Sequence, residues 1–197
     1  LFLSSFQTLA SLATVRALSR VPDARILATT PVVAKNLGSL GYRGPLFIPG
    51  TSNGIERGPV EAALREPSEI EYDAVYVGRY HPHKGFLDLP RAVARMKRAL
   101  GRGVRVAVVG RPHFRRHMAR FEALSRAYGV RGDLVLQENP DRTEMYRTVR
   151  ASRLLLYPSY VDGFSLTVLE SLCLGVPVVA YDIGALELIW GSRAGVF

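Results

Sequence analysis

Residues 104–110 form the stretch Val104-Arg-Val-Ala-Val-Val-Gly110, and an amphipathic segment follows at residues 114–128. The consecutive apolar residues predict a strand that is buried on both faces, as in a parallel sheet. In the segment that follows, Met118, Phe121 and Leu124 recur at the spacing of one helical face. A buried strand followed by a helix is the repeating unit of a parallel α/β sheet.

The same alternation continues over most of the chain after about residue 70. Strands are predicted at residues 74–77, 104–109, 134–136, 154–157 and 177–180, and helices at residues 86–100, 114–128, 143–151 and 165–174. Alternating strands and helices predict right-handed crossovers. The fold class expected is therefore α/β, with a Rossmann-like parallel sheet flanked by helices.

The first part of the chain has a different pattern. Residues 1–55 predict a helix at 3–18, a strand at 25–28, a helix at 32–40 and a strand at 46–48. Residues 56–71 are charged and include two prolines, which is typical of a linker. We therefore expect the tail of one α/β domain, a linker, and at residues 72–197 a second domain truncated at its end. The chain is interpreted as a fragment of a two-domain enzyme.

The composition limits the class of protein. The chain has 197 residues, of which 48% are hydrophobic and 22% are charged, which is typical of a soluble globular protein and excludes disordered and collagen-like classes. The uncharged stretch at residues 1–15 is shorter than the roughly 20 residues that span a bilayer. Without a charged leader it is not predicted to be a signal peptide. The single cysteine, Cys173, suits a reducing compartment and is expected to be buried, and we expect a cytoplasmic location.

Positive charge is concentrated in one segment. The formal net charge is +9, and residues 91–120 hold ten Arg or Lys residues and no acid. Such a segment suits nucleic acid, anionic lipid or phosphorylated ligands, or it forms a solvated helix face. Nucleic acid is not expected as a partner, because no aromatic side chains are interleaved for base stacking. Peripheral contact with an anionic membrane stays open.

Glycines and charged residues follow the predicted strands. In open α/β sheets, ligands bind beyond the carboxyl ends of the strands, so these residues are expected to meet at one edge. The set suits a ligand that is anionic and hydroxylated. It consists of Gly78, Arg79, Lys84, Gly110, Arg111, Gln137, Glu138, Asn139, Ser159, Asp162, Gly163 and Asp182.

The first of these turns, residues 78–85, is not a known nucleotide fingerprint. It lacks both the G-x-G-x-x-G spacing and the pattern of a P-loop. Instead, Arg79 and Lys84 are predicted to bind phosphate oxygens directly, the guanidinium through its fork and the ammonium as a point charge.

The most informative stretch is Asp162-Gly-Phe-Ser-Leu-Thr-Val-Leu-Glu170. Gly163 and Ser165 are predicted to open a helix whose free N–H groups hold a phosphate. Glu170 lies among apolar residues of that helix, so its carboxylate must be solvated or hydrogen-bonded. Carboxylates suit sugar hydroxyls because they accept two hydrogen bonds at once.

With these pieces in their order, the chain resembles the retaining glycosyltransferases of family 4, which have the GT-B fold of two Rossmann-like domains. The resemblance covers roughly residues 46–197. It rests on Val77-Gly-Arg-Tyr with Lys84-Gly85, Val109-Gly110, Tyr157-Pro-Ser159, the run from Asp162 to Glu170, and Gly175-Val-Pro-Val-Val-Ala180. Residues 48–56 resemble the segment that passes between the two domains.

The resemblance implies a donor site for a nucleotide-diphosphate sugar. By that implication Arg79 and Lys84 neutralise the diphosphate, Asp162 touches the donor sugar and Glu170 holds the ribose. The amides of Gly163, Phe164, Ser165, Leu166 and Thr167 would contact sugar and phosphate, and Gly78 would precede the cations. The base would be bordered by Gly110, Arg111 and the loop of Gln137, Glu138 and Asn139. The family pattern normally has Glu where this chain has Asp162, one methylene shorter. The implied reaction transfers the sugar to a carbohydrate or lipid-linked acceptor with retention, and needs neither metal nor cofactor.

The sequence also offers several rival interpretations. His113 and His117 have the spacing of a metal-binding pair, but no third ligand is evident. A hydrolase nucleophile at Ser165 would need G-x-S-x-G, and Thr167 occupies its last position. A nucleotide-sugar epimerase of the same fold lacks a recognisable acid and histidine set here. The main alternative is a non-catalytic nucleotide-binding or scaffold module, and the fragment alone is expected to be inactive.

Overall fold

The computed structural model describes residues 13–48 and 54–190. Five parallel strands form the main sheet: β3 (Ala74–Val77), β4 (Val106–Gly110), β5 (Leu134–Glu138), β6 (Leu155–Tyr157) and β7 (Val178–Ala180). Their order across the sheet is β5-β4-β3-β6-β7, and every pairing is parallel. The predicted α/β class and parallel sheet are confirmed, and each predicted strand is present with its ends moved by at most two residues.

Helices cover both faces of this sheet. On one face lie α4 (Leu89–Leu100) and α5 (Arg115–Ala127), and on the other lie α6 (Arg142–Arg150) and α7 (Leu166–Cys173). Alternate residues of β4 divide between the two cores, because successive side chains of a strand point to opposite faces. Val106 and Val108 pack on the first face, and Ala107 and Val109 pack on the second. This explains the apolar run that the sequence shows there.

Local signals set the helix boundaries. Helix α6 begins with a capping box, in which Asp141 and Glu144 each accept a hydrogen bond from the other's backbone N–H. The helix predicted from residue 86 instead begins at Leu89, and residues 86–88 form a 3-10 turn. Pro90 explains the difference, because its missing N–H is tolerated only in the first turn of an α-helix.

A smaller unit precedes the main sheet. It contains α1 (described at residues 13–18), β1 (Ile26–Leu27), α2 (Pro31–Ser39) and β2 (Leu46–Phe47), and the two strands pair in parallel. Helix α2 packs against α8 (Gly184–Trp190) of the larger unit. The predictions for residues 3–12, 49–53 and 191–197 lie outside the described residues.

The stretch interpreted as a linker, residues 56–71, contains helix α3 (Arg57–Arg65). Its Val60 and Ala63 are buried in the core of the larger unit, and α3 packs against α6. Pro59 does not prevent this helix, because the N–H groups of the first turn have no intrahelical partner to lose. The segment is therefore partly helical and packed, while the domain boundary itself stays a prediction.

Cys173 was expected to be buried, and this expectation is wrong, because its side chain is exposed. It lies at the end of α7, where the helical rotation turns it outward although Leu174 beside it is buried. None of the helices in the described ranges has the length and apolar character needed to cross a membrane.

Candidate donor site

Two loops border a crevice at the edge where the strands end. Strand β3 lies between β4 and β6, and the chain leaves β3 and β6 toward opposite faces of the sheet. Such a reversal of strand order opens a crevice at the carboxyl ends, where ligands of α/β proteins bind. The loop after β3 (residues 78–85, the β3 loop) and the loop after β6 (residues 158–165, the β6 loop) form its two sides.

An ion pair joins the two loops. Lys84 Nζ donates to Asp162 Oδ2 at 2.6 Å, and both side chains are largely buried, with 26% and 17% of their surface exposed. The Tyr157 hydroxyl donates to the same carboxylate oxygen. Burial acts to raise the pKa of the Asp162 carboxyl, but the hydrogen bonds from Lys84, Tyr157 and a backbone N–H outweigh it and lower the pKa to about 2. Asp162 is therefore a carboxylate at neutral pH.

The second oxygen of Asp162 organises the start of α7. Asp162 Oδ1 accepts hydrogen bonds from the backbone N–H groups of Phe164, at 3.1 Å, and Ser165, at 2.9 Å. Ser165 has a left-handed backbone with φ of 69°, and α7 begins one residue later than predicted, at Leu166. Two of the amides expected to contact the donor are thus bonded to Asp162 in this structure.

Close backbone approaches hold the β3 loop in place. Gly85 has φ of +69°, and a Cβ atom built on it would lie 1.9 Å from the carbonyl oxygen of Pro158 in the β6 loop. A Cβ atom on Gly110 would lie 1.9 Å from the carbonyl oxygen of Gly78. The two sides of the crevice therefore meet at a distance that only glycine permits.

Aromatic rings anchor both ends of the same loop. Phe86 stacks between Tyr80 and Phe121, with ring centroids 4.5 Å and 4.2 Å apart. The Tyr80 hydroxyl donates to the carbonyl of Val108 at 2.7 Å. Since these three rings are fully buried in the core, residues 81–85 are fixed to the sheet at both ends.

A cavity of about 350 Å³ opens beside the ion pair. Its lining includes Arg79, His83, Lys84, Asp162 and Gly163. The Arg79 side chain is exposed and forms no salt bridge with any described residue, so its guanidinium is available to an anionic ligand. The structure thus brings together the two cations of the β3 loop and the first residues of the 162–170 run.

Glu170 lies deeper, on α7. Its Oε1 accepts a hydrogen bond from the Tyr146 hydroxyl at 3.0 Å, which supplies the partner that the sequence required. Burial raises the pKa of the Glu170 carboxyl, against the opposing effects of Tyr146 and Arg142. Sequence reasoning missed both tyrosines, Tyr146 and Tyr157, because nothing in their spacing marks a hydroxyl that reaches a carboxylate on another element.

The residues predicted to border the base are placed along the ends of β4 and β5. Gln137, Glu138 and Asn139 line a cavity of about 420 Å³. The Gln137 amide is held at both ends, since its oxygen accepts from the Thr148 hydroxyl at 2.8 Å and its nitrogen donates to the Tyr72 hydroxyl at 3.3 Å. Glu138 and Arg111 are exposed, and their proposed contact with a base stays a prediction.

The histidine pair considered for a metal is not on one helix. His113 lies before α5, which begins at Arg115, so only His117 is helical. Within the described ranges, no three His, Cys, Asp or Glu side chains are placed to hold a metal ion.

Comparison with known proteins identifies the family of the chain. The family model "Glycosyl transferases group 1" matches residues 62–193, which include the whole five-stranded sheet and both loops of the crevice. The chain belongs to this family. It is 31% identical over 175 residues to the D-inositol 3-phosphate glycosyltransferase of Rhodococcus erythropolis, a match covering 82% of the chain and 39% of that protein. The corresponding enzyme of Gordonia bronchialis is 28% identical over 186 residues, covering 87% of the chain and 40% of the relative. The chain therefore spans about two fifths of these curated relatives.

Solved structures show the same fold. Sucrose-phosphate synthase from Thermosynechococcus elongatus superposes with a TM-score of 0.69 at 19% identity, over 93% of this chain and 45% of that one. The Anabaena protein HepE, in complex with UDP-glucose, gives a TM-score of 0.68 at 16% identity, over 91% and 51% of the two chains. The GT-B type of sheet expected from the sequence is confirmed.

Proposed function

We propose that this chain is the donor-binding part of a glycosyltransferase. The full protein would move a sugar from a nucleotide-diphosphate donor to a hydroxyl of a carbohydrate or lipid-linked acceptor, with retention of configuration. The observation that supports this most is the convergence of Arg79, the Lys84–Asp162 pair and the start of α7 on one crevice of a group 1 glycosyltransferase sheet. HepE, which has this fold, is bound to UDP-glucose in its solved structure.

The chemistry of the transfer explains why these groups are needed. The bond between the anomeric carbon and the bridging oxygen breaks, and the electron pair stays on the nucleoside diphosphate. The acceptor hydroxyl forms the new bond to that carbon and releases its proton. Cations placed at the developing negative charge commonly contribute about 3–4 kcal/mol each to lowering the barrier. Arg79 and Lys84 would supply this charge without a divalent metal.

Donor binding changes the pairing inside the site. In this structure Lys84 is bonded to Asp162. A diphosphate in the cavity would compete for the ammonium, and Asp162 would then accept hydrogen bonds from hydroxyls of the donor sugar. We propose that Glu170, fixed by Tyr146, accepts from the ribose hydroxyls in the same way.

A second cavity suits the acceptor side. It has a volume of about 280 Å³ and lies between α2 and α8, with Lys35 and Asn36 on one wall and Gly184 on the other. Val161 and Asp162 line both this cavity and the one beside Lys84. A donor sugar held at Asp162 would therefore face the space between the two units of the chain.

Calorimetric titration tests the donor site. The 197-residue chain is titrated with UDP, GDP and ADP, and the same titrations are made with Arg79→Ala and Glu170→Ala. We expect saturable binding of one nucleotide, weakened about tenfold or more in each variant, as removal of a charge-assisted hydrogen bond predicts. Arg95→Ala is the matched control, because it removes an exposed cation of α4 outside the site.

Two results would contradict the proposal. Binding that is equally strong in both site variants would place the nucleotide elsewhere. Binding by a full-length protein that shows no transfer would favour the alternative of a scaffold module. The 197-residue chain itself is expected to bind nucleotide without measurable transfer. For the full-length enzyme, sugar transfer should persist in the presence of EDTA. If EDTA abolishes transfer and added Mg²⁺ restores it, metal independence is refuted.

Membrane contact completes the proposed setting, a cytoplasmic enzyme held peripherally. Of the ten basic residues at 91–120, four form ion pairs with acids elsewhere in the chain: Arg91, Lys97, Arg102 and Arg105. Arg95, Arg98, Arg115, Arg116 and Arg120 are exposed. At low salt the protein should sediment with vesicles containing anionic lipid and remain in the supernatant with neutral vesicles, and equal behaviour with both would refute the idea.

A further inference from the structure

All four histidines of the protein lie in one place. His81 and His83 belong to the β3 loop, and His113 and His117 come from the segment after β4. The ring centroid of His81 is 4.9 Å from that of His83, 5.3 Å from that of His113 and 5.2 Å from that of His117. We call this group the histidine cluster, and its two members on the β3 loop lie between Arg79 and Lys84 in the chain.

Two members of the cluster have lowered pKa values. His81 Nδ1 accepts a hydrogen bond from the backbone N–H of His83 at 3.2 Å, so protonation of that nitrogen would break the bond. Burial lowers the pKa of His81, and the neighbouring imidazoles lower it further. His117 has 9% of its surface exposed, and burial lowers its pKa as well. Its Nδ1 has no hydrogen-bond partner within the described part of the chain.

The other two members are exposed and line the same cavity as the cations. His83 and His113 reach that cavity from loops after different strands, β3 and β4. The backbone of His83 is fixed to the β6 loop, because its carbonyl accepts from the N–H of Tyr160 at 2.9 Å. The ring of His113 packs edge-on against Phe114, with centroids 4.2 Å apart. The His83 backbone and the His113 ring are therefore each held by a contact of their own.

We propose that His83 and His113 bind the phosphate groups of the donor and take up one proton between them as it binds. This inference rests on the proposed donor site and adds two residues and a proton to it. A diphosphate bound in this cavity would place negative charge beside the two rings and favour their protonated form. The titratable and charged groups around the pair are Arg79, His81, Lys84, Arg116, His117 and Asp162, of which Asp162 is already paired with Lys84.

A ligand that does not itself titrate isolates the histidines. The diphosphate of a nucleotide sugar is esterified at both ends and exchanges no proton near neutral pH, unlike that of a free nucleoside diphosphate, whose last proton has a pKa near 6. UDP-glucose, GDP-mannose and ADP-glucose are therefore the probes. An anion beside an imidazole that raises its titration midpoint by about one unit makes binding about tenfold tighter at pH 5.5 than at pH 8.5.

Variants attribute the effect to the two rings. The double variant His83→Gln with His113→Gln should lose the gain at low pH, retaining less than about a twofold change attributable to these positions. Any pH dependence of binding that comes from the Glu170 carboxyl remains in the double variant. It is subtracted from the pH dependence of the wild type. Arg115→Gln is the control, because it removes an exposed positive charge near the cluster without removing an imidazole, and it should keep the tenfold gain.

The outcomes separate this inference from the proposed function. A nucleotide sugar that binds with the same pH dependence in wild type and double variant overturns the histidine proposal and leaves the donor site intact. If none of the three nucleotide sugars binds, the proposed function fails. NMR titration of the histidine rings with inorganic pyrophosphate then tests whether His83 and His113 bind phosphate. A midpoint of either His83 or His113 that rises by about one unit supports the phosphate role, and unchanged midpoints of both rings overturn it.

Discussion

Replacing Gly85 by alanine should disrupt the crevice much more than the same change elsewhere. Gly85 has φ of +69°, and an added Cβ would meet the Pro158 carbonyl oxygen at 1.9 Å. A left-handed backbone costs an L-residue about 1–2 kcal/mol. Relieving the contact requires the β3 and β6 loops to move apart, and overpacking of this kind typically costs a further 1–3 kcal/mol or so. We therefore expect Gly85→Ala to lower the free energy of unfolding by about 2–5 kcal/mol.

Gly101→Ala is the matched control. Gly101 has φ of +62°, but a Cβ atom there would meet nothing within 4 Å. The loss of stability in this variant should be limited to the backbone cost, about 1–2 kcal/mol. Urea unfolding followed by circular dichroism measures both variants, and nucleotide titration should show weaker binding only for Gly85→Ala, because Lys84 moves with the loop. Equal destabilisation of the two variants would refute the argument from the close contact.

Three further predictions follow from the site. Asp162→Asn should lower the free energy of unfolding at pH 7 by about 1–2 kcal/mol, because a pKa lowered from 3.8 to about 2 corresponds to roughly 2.5 kcal/mol before solvent screening. Because the folded-state pKa of Asp162 is depressed, the extra stability of the wild type is present above about pH 4 and is lost as the pH falls through about 2. Urea unfolding of both proteins across this pH range measures the effect. A stability difference that stays constant with pH would contradict the prediction. Tyr146→Phe removes the hydroxyl that donates to Glu170 and should lower the free energy of unfolding by about 1–3 kcal/mol, measured by urea unfolding. Unchanged stability would show that the Glu170 carboxylate is solvated and would contradict this prediction. Cys173 is exposed, so its thiol should react with a maleimide in the native protein within minutes, whereas reaction only after denaturation would show that it is covered.

The sheet was largely predictable from the sequence because its pattern is dense. Each strand of the larger unit is a short apolar run, and Val106 to Val109 divide between two cores without a polar interruption. The helix at Arg57–Arg65 was not predicted, because a charged stretch with two prolines has the composition of a linker, and only burial of Val60 and Ala63 shows otherwise. Composition reports local preference, whereas that helix is stabilised by packing on distant residues.

The meeting of these residues at one edge of the sheet was predictable, and the bonds between them were not. Glycine and charge at the strand ends were sufficient to group Arg79, Lys84 and Asp162 at one edge. That Lys84 and Asp162 bond to each other depends on the strand order, which places β6 next to β3 although 78 residues separate the two side chains. The meeting of two histidine pairs has the same origin, because β3 and β4 are neighbours in the sheet.

The stack of Tyr80, Phe86 and Phe121 makes the β3 loop an exchangeable segment. Its two ends are fixed by rings of the core, so residues 81–84 can change identity without a rearrangement of the sheet beneath them. A relative could replace both histidines there by other polar residues and keep the same frame for its lysine. The three rings of the core thus determine the position of the β3 loop. The residues between the rings determine which charged groups the loop carries and the pH at which those groups titrate.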